Sequence, residues 1–187
     1  SSWGGSTAYR RPCGSESPRN DHHPGATEML NIIKDLFGIG KDSESIIRVL
    51  IEARKKTKGV KNQILYEAQF NTSLILDHYL DRKADAGKVI RHLKTERLAR
   101  AFDEGFDFRR LKKGSVTEKM TANTPFLKSY TGLDCEGILR RILFHIEQLK
   151  LLPELYDIEK TDRVDIRRRM ENLGKRYILF ARFLKSP

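Results

Sequence analysis

The sequence predicts an all-α protein, an up-and-down helical bundle of about five main helices behind a short N-terminal amphipathic helix. Two observations carry this. From Met29 onward the apolar residues recur at three and four, the period of a helix with one buried face, and no segment alternates strictly as a half-buried strand would. The periodic stretches are long and mostly joined by short turns, as an antiparallel bundle requires. No repeat at a solenoid period is evident.

The leading segment, 29–37 (MLNIIKDLF), is short and amphipathic, and Gly38 and Gly40 stop it. A helix over 43–57 follows the cap residues Asp42 and Ser43. It turns Ile46, Ile47, Leu50 and Ile51 inward and gathers Arg54, Lys55, Lys56 and Lys58 near its C-terminus, where the dipole favours cations. The next, 60–82, sets Ile64, Leu65, Ala68, Thr72, Ile75, Leu76 and Tyr79 on one face. A single helix over 85–102 is expected to bury Val89, Ile90, Leu93, Leu98 and Phe102.

Periodicity then fails over 103–133, where Gly105, Gly114, Pro125 and Gly132 stand among Ser and Thr. An irregular connection of that length is expected to be functional, partly disordered, or to hold short structure of its own. Ser115-x-x-Glu118 is suited to capping one turn there. The helix over 134–151 starts at Asp134, buries Ile138, Leu139, Ile142, Leu143, Ile146 and Leu149, and is ended by Pro153. The last, 162–184, follows Thr161 and Asp162 and carries the clearest seam, Ile166, Met170, Leu173, Tyr177, Phe180 or Ala181, and Leu184.

Residues 1–28 are rich in Gly, Ser and Pro and read as a flexible or non-native N-terminal extension. Residues 29–187 read as one helical-bundle domain. Of 187 residues, 36 are Lys or Arg and 25 Asp or Glu, a formal charge of +11. The head is neutral, so the whole surplus belongs to the domain. This composition excludes a collagen-like chain and a disulfide scaffold. The two cysteines, Cys13 and Cys135, form no CxxC pair, which argues against structural zinc and fits a reducing, cytoplasmic setting, with organellar import left open. No apolar run approaches the roughly 18 residues of a membrane span, so no integral membrane association is expected.

The charge is localised. Residues 82–113 carry a net +6, and so do residues 160–185. On the last helix Arg168, Lys175 and Arg182 recur every seven residues, opposite Ile166, as an outward stripe about 20 Å long, which Arg167, Arg169 and Arg176 widen. Lys88, Arg91, Lys94 and Arg97 make a similar face on the helix over 85–102, and Arg109, Arg110, Lys112 and Lys113 extend it. If the two faces are neighbours, they form a patch able to follow a phosphate backbone. Phe102, Phe106, Phe108, Phe126 and Tyr130 are the aromatics available to stack on unpaired bases, unless they fold back as core plugs. No helix-turn-helix signature is present, so RNA or single strands are favoured over duplex DNA.

The expected function is therefore a non-catalytic helical binding module with a basic face, contacting RNA or another polyanion. Two alternatives stand beside it. One is a helical protein–protein or homodimerisation module using the last helix's seam or the 103–133 connection. The other is catalytic and rests on Arg140, Arg141 and His145. Arg140 and His145 have the spacing R-x4-H, which resembles the motif of HEPN-type helical ribonucleases, and the resemblance covers six residues. It implies an Arg–His pair that stabilises a transferring phosphate and moves a proton.

Other chemistry is weaker. His78 and His92 read as surface or boundary residues, and Cys135, between Asp134 and Glu136, reads as a small packing residue rather than a reactive thiol. Gly38-Ile-Gly40-Lys41-Asp42 fails as a phosphate loop, because Asp35 and Asp42 stand where Gly and Ser or Thr are required. No Glu-x-x-His pair is present, and no metal or other cofactor is expected.

Overall fold

The computed structural model describes residues 43–156 and 165–187. The helix expected at 29–37, the extension over 1–28 and the caps expected at Asp42, Thr161 and Asp162 lie outside the described residues. Within them the chain is an all-α bundle without strands.

Helix α1 (Ser43–Lys55) is joined by a short link to α2 (Val60–Ser73), which packs along it and continues without interruption into π-helical turns over Leu74–Asp81. The region expected as one helix over 85–102 is two, α3 (Ala86–His92) and α4 (Glu96–Asp103). Two short 3-10 turns (Phe108–Arg110 and Pro125–Tyr130) flank the single-turn α5 (Glu118–Thr121), and the long helices α6 (Cys135–Leu155) and α7 (Ile166–Lys185) complete the fold. Thus α6 runs past Pro153 rather than ending there, its last turn closed by the Tyr156 amide donating to the Leu152 carbonyl at 2.9 Å.

The centre of the core is α7, against which α1, α2, the π-helical turns, α5 and α6 all pack. Its expected seam is buried at Ile166, Met170, Leu173, Tyr177, Phe180 and Ala181. Ile178, Leu179 and Phe183 are buried as well, so the C-terminal half of α7 has almost no outer face. Gly174 lets the π-helical turns approach it: a Cβ there would lie 3.2 Å from Leu76 Cδ2 and 3.3 Å from Ile75 Cγ2.

The break between α3 and α4 has a specific cause. Leu93 is extended, and Asn71, fully buried on α2, holds both backbone groups of the next residue. The Lys94 amide donates to Asn71 Oδ1 at 2.8 Å and Asn71 Nδ2 donates to the Lys94 carbonyl. Asn71 Nδ2 also donates to the Tyr177 hydroxyl at 3.0 Å, so one amide ties α2, the break and α7 together. The start of α4 is capped from outside its own chain segment. The amides of Arg97 and Leu98 donate to the two oxygens of buried Glu67 at 2.8 and 3.1 Å, while the hydroxyl of Thr95, the cap position itself, accepts from Lys150 Nζ at 2.9 Å. Burial raises the Glu67 carboxyl above its ordinary value, against the pull of those two amide bonds.

The 103–133 connection carries ordered short structure, and its 116–133 part is clasped where the Val116 amide donates to the Leu133 carbonyl and the Gly132 amide to the Val116 carbonyl, both at 2.8 Å. Gly132 has a φ of +85° at this clasp, a conformation that L side chains rarely adopt. The turn expected to be capped by Ser115 starts instead after Thr117. Val116, Met120, Leu127 and Tyr130 project from the connection into the core.

Candidate functional site

The structure divides the expected basic surface into residues that face solvent and residues held by the protein. On α3, Lys88 and Arg91 are exposed. Lys94 is not an outward member of that row, because the helix breaks beside it and its ammonium lies over the Phe70 ring, 4.2 Å from the centroid. Arg97 is exposed and donates to Gln63 Oε1 at 3.3 Å. Arg109 is paired with Asp107 at 3.0 Å, and Arg110 lies over the Phe106 ring.

The stripe on α7 is likewise corrected. Arg167, Arg168 and Arg169 face solvent, Lys175 and Arg182 are half-buried, and Arg176 is buried. Burial of the surrounding helix face pulls the C-terminal cations inward, and Arg182 donates to the Met120 carbonyl at 3.2 Å. Three of the aromatics expected as stacking platforms form a cluster of their own. Phe108 is buried, with the Phe102 ring at 4.5 Å and the Phe106 ring edge-on at 5.3 Å. Tyr130 is also buried, which leaves Phe126 as the exposed member of the set.

The two basic stretches do meet, at the C-terminal end of α7. Lys112 Nζ donates to the Ser186 carbonyl. Beside this tie a cleft of about 520 Å³ is lined by Lys113, Lys119, Arg182 and Lys185, with Ser115, Thr117 and Ser186 among them and Met120 and Phe183 supplying its apolar lining. No carboxylate side chain is present among the described residues that line it. Lys119, from α5, was not among the sequence candidates. Its signal was its place in the irregular connection that also supplies Lys113.

The pair at R-x4-H spacing is not brought together. Arg140 forms an ion pair with Glu136 at 2.7 Å and lies over the Phe102 ring, 4.5 Å from the centroid. Arg141, one helical turn before His145, is the arginine of α6 that acts on it. The His145 imidazole is pushed down to about 4, first by burial and then by Arg176, Arg141 and Arg169, so it is uncharged at neutral pH. Arg176 in turn donates to the Tyr130 hydroxyl at 2.6 Å, with its guanidinium 4.5 Å from the centroid of the Phe126 ring. Arg141 lies over the Tyr130 ring at 4.7 Å and donates to the Ser129 carbonyl at 3.0 Å.

Cys135 is buried at the start of α6, its thiol pushed up to about 12 by burial and then by Asp134, as suits a packing residue. Among the described residues no helix is long and apolar enough to cross a membrane, and no group of three His, Cys, Asp or Glu side chains is placed to hold a metal ion. No family model matches this chain, and neither a curated protein nor a solved structure does.

Proposed function

We propose that the protein is a non-catalytic helical binding module whose basic surface takes a polyanion, RNA foremost. The observation that carries this reading is the cleft at the end of α7, where cations from two stretches distant in sequence line one space without a carboxylate side chain among the described residues. Like charges collected in this way repel one another, and a polyphosphate relieves that repulsion while releasing its own counterions. Lys88, Arg91 and Arg97, exposed on α3 and α4, and Arg168 on α7 are further solvent-facing cations available to such a ligand.

The test is a mobility-shift titration with a single-stranded RNA at about 50 and about 200 mM salt. The parent is expected to bind at the lower salt and to weaken roughly tenfold or more at the higher, and Lys113→Glu with Lys185→Glu to abolish binding. Absence of binding at low salt, or binding indifferent to the reversals, removes the reading.

A protein–protein function is favoured by one separate observation. The α7 seam expected as a contact surface is enclosed in the core, but α6 exposes Phe144, Leu151 and Leu155 along one face, with Tyr156 just beyond. A helical partner presenting an apolar face is the occupant that such a stripe fits.

A further inference from the structure

We infer that Arg141, Arg169 and Arg176, arranged about Tyr130 and His145 between α6 and α7, form a binding site for a compact phosphoryl dianion, the terminal group of a phosphate monoester. The site is separate from the cleft at the end of α7 and shares no residue with it.

Arg176 makes the first part of the argument. It is 6 % exposed, and its guanidinium is held on one side by the Tyr130 hydroxyl and over one face by Phe126. Its terminal nitrogens have no protein acceptor among the described residues, and no carboxylate lies within ion-pair distance of it there. A buried cation without a counter-charge is costly, and aromatic faces return only part of the lost hydration. Three exposed arginines have a carboxylate partner: Arg109 with Asp107, Arg140 with Glu136, and Arg167 with Glu171 on α7 itself. The most enclosed arginine, Arg176, has no anionic partner among the described residues.

The second part is convergence. Arg176 and Arg141 are held on the same tyrosine, one by its hydroxyl and one over its ring. Arg169 lies two turns before Arg176 on the facing helix, close enough to act on His145 together with the other two. Each guanidinium offers a planar fork of donors matched to phosphate oxygens. The Tyr130 hydroxyl accepts from Arg176, which leaves its own proton free to donate. Because His145 is uncharged at neutral pH, it offers a ring nitrogen as acceptor or donor without adding to the repulsion.

Titration calorimetry with inorganic phosphate, a nucleoside 5′-monophosphate and sulfate, at constant ionic strength, tests this. Phosphate and the monophosphate are expected to bind, and more tightly than sulfate. Tighter binding of the monophosphate assigns the group to a nucleotide, and equal binding assigns the site to free phosphate. Arg169→Gln, at an exposed position, is expected to weaken both roughly tenfold while leaving the melting temperature of the unliganded protein unchanged. Arg141→Gln is a second variant outside the core, and the His145 ring resonances should move on saturation in the parent. Heats no larger than for chloride, equal binding of sulfate, or full binding by both variants overturns the assignment. These variants leave Lys113 and Lys185 intact, so loss of phosphate binding and loss of RNA binding are read separately.

Discussion

Glu67 and Asn71 stand one helical turn apart on α2, and between them they decide where the next helical stretch breaks. Asn71 satisfies both backbone groups of Lys94 as well as the Tyr177 hydroxyl. Replacing it with Ala leaves several buried partners unsatisfied and should cost about 3 kcal/mol in urea denaturation. A loss below about 1 kcal/mol would mean that water takes over these bonds. His145 supports a pH prediction. Its folded value near 4 lies below its ordinary 6.5, so the unfolded chain takes up the proton first as pH falls. Stability from this group is full above pH 6.5 and declines toward pH 4, and the charged groups acting on it are Arg141 on its own helix and Arg169 and Arg176 on α7. A His145→Gln protein should therefore lose less stability between pH 7 and pH 5 than the parent, as measured by urea midpoints. An equal loss would place the imidazole in an ordinary aqueous setting. Neither Glu67 nor Asn71 was singled out in the sequence, although both fall in register with Ile64, Ala68 and Ile75. A polar residue inside an apolar stripe was the available signal, and its partner was invisible because it lies in the backbone of a later segment.

At the level of elements, the long helices were legible because each has an apolar stripe of its own, which fixes type and approximate extent from local residues. The helix expected over 85–102 is two for the complementary reason. Leu93 continues the apolar face of Val89 and Ile90, and only the contacts from α2 interrupt the helix after it. Pro153 likewise does not end its helix, which runs on to Leu155. The close approach of the π-helical turns to α7 depends on Gly174. Gly174→Val would force two methyl groups against Leu76 and Ile75 and should destabilise the protein by about 2 to 3 kcal/mol. Gly174→Ala adds helix propensity against a smaller clash and should lie well below that. Equal midpoints for Val and Gly would show that the π-helical turns move aside freely.

For the molecule as a whole, the sequence located the charge in two stretches, and the cleft at the end of α7 is where they adjoin. Which cations remain exposed was not legible, because a helical wheel assumes that one face is outer, and the C-terminal half of α7 has almost none. The arginine cluster about His145 joins 126–130, 141–145 and 169–176, segments that no local pattern connects. The exposed stripe on α6 is tested by light scattering. If it is a self-association surface, the parent should be dimeric at micromolar concentration and Phe144→Ser with Leu151→Ser monomeric. A monomeric parent leaves a different partner as the occupant.

The central place of α7 also governs the order in which the molecule assembles. Most helical bundles gain contacts between neighbours in the chain and fold quickly on that account. Here α1 packs against α7 across more than a hundred residues of intervening sequence. Asn71, Met120 and Tyr130 all wait for a partner on the same late helix. A growing chain that has reached Leu155 has the other described helices but no centre, so their apolar faces stay open to chaperones and proteases until α7 emerges and closes them together.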